Sequence, residues 1–350
     1  MRQDLRGGGF QFRDFLTEYL RKHGHVVINN LKCDKIDIIL LISPLPSQSS
    51  ASYDYLDVEK YLLRHPQTVV VHRVNYCHLA RSKNEFDFDK YMARANRCAD
   101  YTVYISQWIK EIYERCGFWK IGPNCIIYNG ADQSIFNNLG KTVWHPGEKM
   151  KIVTHHWSKD LNKGHDVYRY LDDLLDLSEY NRKFEFTYVG NIPESVNYKN
   201  INVLGVKFGK ELVNELKKHH IYLTAAKNEA AGMHHIEAGN CGLPILFRNN
   251  SALLEYCQDY GLGFNDIGDF ADKLDEMYNN YNFFSNKIYH YPFTASTMAE
   301  QYLNLFVKLK NQPDKTCRRT NIFLCLLKII KIEISKMMWS NYWRKLLGQL

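Results

Sequence analysis

The chain has 350 residues, 45% hydrophobic and 24% charged, with nine prolines and no low-complexity tract. That length accommodates about two domains, and the composition excludes disordered, collagen-like, disulfide-scaffold and multi-span membrane classes. Of the net charge of +7, the segment 311–350 carries +6 (eight Lys or Arg against Asp314 and Glu333), so the body is nearly neutral and nucleic acid is not an expected partner.

The first ten residues contain no apolar core, so no secretory signal is expected. No window of about 20 residues is free of charge, so no spanning helix is expected either. Gly7-Gly8-Gly9 leads into a helical pattern over Phe10–His23. Strand-like runs follow at His25–Asn30, Asp37–Ser43, Thr68–Val74, Tyr101–Ser106 and Cys125–Tyr128. A polar stretch, Asn137–Lys149, contains Gly140, Pro146 and Gly147 and marks a break. Beyond it the runs are Lys151–His156, Phe184–Gly190, Ile201–Val206, His220–Ala225 and Pro244–Phe247. Continuous apolar runs of this kind suit strands buried on both faces of a parallel sheet, and the stretches between them have helical spacing. The expected class is therefore α/β with two Rossmann-like domains, residues 1–140 and 141–294. A helix at 295–310 and a basic amphipathic tail at 311–350 complete the chain. Ligands of open parallel sheets bind outside the carboxyl ends of the strands, so two such sheets are expected to share a cleft. Nine cysteines, none in a CxxC pair, read as reduced thiols of a cytoplasmic protein.

The densest chemistry follows the run ending at Ala225. Glu229 and Glu237 are separated by seven residues, with Gly232, Met233, His234 and His235 between them. Glu229 falls in a strand-to-helix turn and Glu237 one to two turns into the helix. Gly232 permits close backbone approach, and the free N–H groups of the helix start suit a phosphate. Gly242-Leu243-Pro244 ends the helix. Taken singly, both glutamates also read as solvated helix-end acids. The adjacent His234 and His235 point apart on a helix and lack an evident third ligand, so no metal site is expected. His155-His156-Trp157 closes the first strand of the second half, either facing a ligand or packing in the core.

This E-x7-E pattern, whose second glutamate opens Glu237-Ala238 and runs on to Gly242 and Pro244, resembles the donor-site signature of the retaining group 1 (family 4) glycosyltransferases. Those enzymes have the GT-B fold. Further segments match in order: Cys125–Asp132 with Phe136 (an Asn-Gly turn followed by Asp and Phe), Ala99-Asp100 with Ser106, Lys163-Gly164, Val189-Gly190-Asn191 and Val203-Leu204-Gly205. The resemblance spans about Gly7 to Phe306. It implies a nucleotide-sugar donor, UDP- or GDP-linked, and a glycan or lipid-linked acceptor. By the same resemblance, Glu237 binds the nucleotide ribose hydroxyls and Glu229 contacts the donor sugar. Backbone N–H groups around Gly232, Met233 and His234 meet phosphate or sugar, and Lys163 neutralises the leaving diphosphate. No cofactor is implied and the chemistry is expected to be metal-independent. Carboxylates accept well from sugar hydroxyls, and fixed cations with oriented N–H groups stabilise charge developing on a leaving group.

Three features differ from the family pattern. Only six residues, three of them charged, precede Gly7, too few for the buried strand that opens these folds, which is therefore expected to be missing, replaced or lost from this chain. The basic residue five positions before the KG lysine is Ser158, with Lys159 as a substitute. The acceptor-side histidine has no clear counterpart. His72, Arg73 and His78 are the candidates for it, a structural role being at least as good a reading for both histidines, and Gly8 and Gly9 are acceptor-side candidates expected to line the cleft.

In the tail, Phe323, Leu326, Leu327, Ile330, Ile334, Met337 and Met338 fall on one helix face, with Lys328, Lys331 and Lys336 outside it and Trp339, Tyr342 and Trp343 following. Such a helix over 321–345 suits an anionic membrane surface, placing the protein on the cytoplasmic face of a membrane. A helix packed on the body or on a second copy is the plainer reading. Three functions remain open: a retaining glycosyltransferase making cell-surface polysaccharide or glycolipid, a non-catalytic nucleotide- or sugar-binding relative, and a glycoside hydrolase using the two glutamates.

Overall fold

The computed structural model describes residues 8–45, 51–78 and 86–311, with residues 334, 337 and 338. They divide into two compact units, one made of the described residues of 20–127 and from 300 onward, the other of 8–19 and 128–299.

The first unit holds a four-stranded parallel sheet of β1 (Ile38–Leu41), β2 (Val69–Val74), β3 (Tyr101–Tyr104) and β4 (Asn124–Ile126), in that spatial order. Every residue of β2 is buried, which suits its apolar opening Val69–Val71, and the polar His72 and Arg73 are buried with it. Helices α2 (Tyr55–Leu62), α3 (Phe86–Asn96) and α4 (Gln107–Arg115) connect the strands. Asp54 caps α2 through the N–H groups of Leu56 and Asp57, and Ser106 caps α4 through that of Ile109. The segment His25–Asn30 is not a strand: no strand pairs with it among the described residues, and Val26 is 92% exposed. A β-branched run without a ladder partner has neither its backbone bonds nor an apolar face to bury.

The second unit is built on six parallel strands: β5 (Met150–His156), β6 (Phe184–Gly190), β7 (Asn202–Leu204), β8 (Ile221–Thr224), β9 (Ile245–Arg248) and β10 (Gly261–Phe264). Their order is β10-β9-β8-β5-β6-β7, so the chain reverses direction of travel between β5 and β8. Helices α5 (His165–Leu174), α6 (Ser178–Lys183), α7 (Gly209–Leu216), α8 (Met233–Asn240), α9 (Leu253–Cys257), α10 (Ile267–Asn279) and α11 (Tyr281–Ile288) follow the strands. Tyr168, Phe186, Tyr188, Leu223, Leu246 and Phe270 belong to one continuous core. β10 was not expected from the sequence, since Gly261-Leu262-Gly263-Phe264 lacks β-branched residues; it forms because β9 offers a paired edge. There Gly261 lies so close to the Ile245 carbonyl that a β-carbon would not fit.

Helix α1 (Gly8–Lys22) runs from one unit's residues into the other's, as does α12 (Ala295–Lys310). Near the end of α12, Lys310 pairs with Asp37 at 2.9 Å. Among the described residues no helix is long and apolar enough to cross a membrane. The tail expectation lies outside them, except that Ile334, Met337 and Met338 are helical and exposed. Of the described cysteines, all free thiols, Cys77, Cys98, Cys241 and Cys257 are buried.

Candidate active site

The reversal between β5 and β8 is the topological switch point of the six-stranded sheet, where the carboxyl ends of neighbouring strands open a crevice. β5 ends there in His155 and His156, and β8 ends in Thr224. Just beyond β5, a 3-10 turn (Leu161–Lys163) leads through Gly164 into α5. Just beyond β8, the turn carrying Glu229 leads through Gly232 into α8.

These loops are stitched together. The Lys227 N–H donates to the Asn162 carbonyl at 2.7 Å, and Gly164 adopts φ 98°, the left-handed region. A β-carbon on Gly164 would stand 2.4 Å from that of Ala225, so both the turn and the close approach require glycine. Asp166, in the first turn of α5, receives Lys227 and Arg248, each at 2.8 Å. Burial raises the Asp166 pKa, but these two cations outweigh it and hold the carboxyl below its usual range. Arg248 also donates from Nε to the Ala225 carbonyl, tying the end of β9 to the end of β8.

The result is two paired carboxylates on one helix start. Lys163 Nζ lies 2.7 Å from Glu229 Oε2, and His155 Nε2 lies 2.9 Å from Glu237 Oε2. Glu229 is 5% exposed and Glu237 4%. An isolated buried carboxylate is costly, and each is here compensated by a cation or a ring N–H. Among the described residues no side chain caps α8, which leaves its first-turn N–H groups to an acceptor. Gly232 lies between the His234 ring and the Glu229 carboxyl, where a β-carbon would come within 2.5 Å of the imidazole.

Beneath these pairs is a group of histidines that sequence spacing concealed. The His234 ring lies 4.7 Å from that of His156, 5.0 Å from that of His235 and 6.3 Å from that of His155. His234 Nε2 meets Thr224 Oγ1 at 3.0 Å, and His156 Nε2 meets Tyr168 Oη at 3.0 Å. Burial first, then the neighbouring histidines and Lys163, hold His156 and His234 well below the ordinary imidazole pKa. His235 is fully buried, neither ring nitrogen has a hydrogen-bond partner, and burial takes its pKa to about 3. Among the described residues, no group of three or more His, Cys, Asp or Glu is arranged to hold a metal ion.

Asn129 of the Asn-Gly segment also reaches the site. Its N–H donates to Tyr256 Oη at 2.9 Å, and its Nδ2 donates to the Ala231 carbonyl at 3.2 Å, fixing the turn before α8. The remaining candidates are placed as follows. The backbone of Gly8 approaches Met233, leaving 2.6 Å between a β-carbon there and Met233 Cγ, whereas Gly9 faces open space. Ser158 Oγ accepts the Asp160 N–H, and Lys159 is an exposed side chain 3.6 Å from Glu194. In the other unit, His72 is buried within β2, its Nδ1 2.8 Å from Asn96 Oδ1, and burial lowers its pKa to about 4. Arg73 is buried beside Tyr302, and the His78 ring stacks on Phe88 at 4.1 Å.

Residues 187–290 match the family model described as "Glycosyl transferases group 1", a stretch that includes Glu229, Gly232 and Glu237. No curated protein matches the chain by sequence. Its structure is similar to that of a glycosyltransferase from Rickettsia africae ESF-5, with 15% identity, a TM-score of 0.61, and coverage of 89% of this chain and 97% of that one. It is also similar to the pneumococcal O-GlcNAc transferase GtfA, solved with UDP and GlcNAc (15% identity, TM-score 0.57, 78% of this chain and 57% of that one). A third similar structure is HepE from Anabaena, solved with UDP-glucose (13% identity, TM-score 0.58, 78% and 79%). This chain therefore spans little more than half of the GtfA chain. The likeness establishes the fold as GT-B-type α/β, with a parallel sheet in each unit.

Proposed function

We propose that the chain is a retaining glycosyltransferase that moves a sugar from a UDP- or GDP-linked donor to a glycan or lipid-linked acceptor in cell-surface polysaccharide or glycolipid synthesis. The observation that carries this reading is the pair of buried carboxylates, Glu229 with Lys163 and Glu237 with His155, gathered at the uncapped start of α8. Glu237 accepts the ribose hydroxyls and Glu229 the hydroxyls of the donor sugar. The N–H groups at Met233 and His234 meet phosphate oxygens, and Gly232 keeps that approach clear. Lys163, whose ammonium Glu229 holds in place, meets the charge that develops on the departing diphosphate. The bond from the anomeric carbon to the phosphate oxygen breaks while the acceptor oxygen attacks from the same face. The acceptor proton passes to the departing phosphate, so no covalent enzyme intermediate forms and no metal is required. The family model over 187–290 and the solved neighbours holding UDP or UDP-glucose support a nucleotide-sugar donor. The basic segment 321–345 would hold the enzyme on the anionic, cytoplasmic face of a membrane.

A second reading, a non-catalytic nucleotide binder, is favoured by one observation. Ser158 replaces a basic residue, and Lys159 is turned to Glu194, so neither adds a second cation beside Lys163.

Calorimetric and thermal-shift titrations with UDP, GDP, ADP and CMP test the function. One nucleotide should stabilise the protein by about 2.7 kcal/mol at a hundred times its Kd. Glu237→Ala and Lys163→Ala should each weaken it. Binding of none of the four defeats the donor-site reading. Binding without transfer from any nucleotide-sugar establishes the non-catalytic one.

A further inference from the structure

Glu237 reaches the site from α8, but its orientation is set from β5, 82 residues earlier in the chain. His155 Nε2 meets only one of the two carboxylate oxygens, Oε2. Among the described residues no donor is bonded to the other, Oε1, and the carboxylate is almost wholly buried. The imidazole itself is rigidly mounted. Its residue is paired with Val189 across the sheet, and its backbone N–H donates to Tyr222 Oη at 3.2 Å. The ring packs edge-on against Tyr222 with centroids 5.5 Å apart. Its Nδ1 is buried without a hydrogen-bond partner, so the geometry calls for the proton on Nε2, where Glu237 accepts it.

We propose that His155 is a positioning residue for ligand recognition: by pinning Oε2 it fixes the plane of the Glu237 carboxylate and presents Oε1 to the vicinal hydroxyls of a nucleotide ribose. The inference rests on the donor-site reading above and adds to it the group that makes Glu237 selective. A carboxylate free to rotate loses part of each hydrogen bond to the cost of ordering it, whereas one held by a strand-mounted donor is preorganised. His155 does not touch the ligand in this scheme, so its effect must show only through the ligand hydroxyls that Glu237 reads.

The test compares UDP and GDP with their 2′,3′-dideoxy counterparts by calorimetry, using the intact chain, His155→Asn and His155→Gln. Both variants are polar and no larger than histidine, but only glutamine places an N–H near the position of the imidazole Nε2. The intact chain should prefer the hydroxylated form of its nucleotide by about ten- to a hundredfold, the range expected for hydrogen bonds to a charged group. His155→Asn should lose most of that preference while its affinity for the dideoxy form stays within about twofold, and His155→Gln should retain the preference. Equal weakening of both forms in His155→Asn would mark a merely structural histidine and overturn the proposal, as would an unchanged preference. An intact chain that binds nucleotide without regard to the hydroxyls overturns it too, leaving the donor site standing. One that binds neither UDP nor GDP overturns the donor-site reading and this inference with it.

Discussion

At Gly164 two constraints coincide, a left-handed backbone and contact with Ala225, and the neighbouring residue is Lys163. Gly164→Ala should cost about 2–4 kcal/mol, combining backbone strain with overpacking, and urea unfolding with an unchanged m-value would show it. His235 presents the opposite case. Its two ring nitrogens are buried without partners beside Tyr256, so His235→Phe should be neutral or stabilising by about 1–2 kcal/mol at pH 7, read from the same unfolding curves. At this scale the sequence disclosed the carboxylates and Lys163-Gly164, because their types and short spacings carry a recognisable pattern. It did not disclose who holds them. His155 and Glu237 are joined only through the pairing of β5 with β8 and the placement of α8, which no local spacing encodes. Asn129 reads in the sequence as part of an Asn-Gly turn, yet its bond to Ala231 crosses 102 positions.

Among the elements, parallel strands buried on both faces announce themselves, and the runs at β2, β5, β6 and β8 match the observed strands to within a residue or two. The two failures share a cause. The segment His25–Asn30 has strand composition but no neighbour, and β10 has a neighbour but no strand composition. Pairing outweighed propensity in both. Where an element begins is also set by long-range side chains. Asp172, on α5, accepts the N–H groups of Lys199, Asn200 and Ile201 at 2.7–3.1 Å and so fixes the entry to β7. Asp172→Ala would strand three donors, and a loss of about 2–4 kcal/mol is expected in chemical denaturation. The nearest backbone amides, at residues 199–201, should lose hydrogen-exchange protection before the rest of the sheet.

For the molecule as a whole, buried histidines in both units set the response to acid. Burial is the leading cause in each case, taking His72, His165 and His220 to about 4 and His235 to about 3. The folded values lie below the unfolded value near 6.5, so the unfolded chain takes up protons first. Stability is therefore full above about pH 6.5 and falls as pH drops towards 4. His72 alone, fully buried, contributes on the order of 3 kcal/mol to that loss. Melting temperatures between pH 7.5 and 4.5 should decline steeply over this window, and His235→Phe should flatten the decline. A melting temperature independent of pH across it would contradict the burial of these rings. The basic segment 321–345 belongs to the same scale. Removing residues 321–350 should abolish co-sedimentation with phosphatidylglycerol vesicles at low salt and leave nucleotide binding unchanged.

The buried cysteines turn the second unit into its own clock. Cys241 closes α8 immediately behind Glu237, and Cys257 ends α9. Burial raises the Cys241 thiol to about 12 and that of Cys257 well above its usual value, so neither forms a reactive thiolate while the fold is closed. Exposed Cys33 should be consumed at once by a thiol reagent, and the two buried sulfurs only as often as their surroundings open. Cys77 and Cys98 are buried in the other unit, so the slow modification of Cys241 itself, resolved by peptide mass, counts openings of the helix that carries Glu237. A nucleotide that binds beside Glu237 should lengthen the interval between them, with no substitution introduced into the chain.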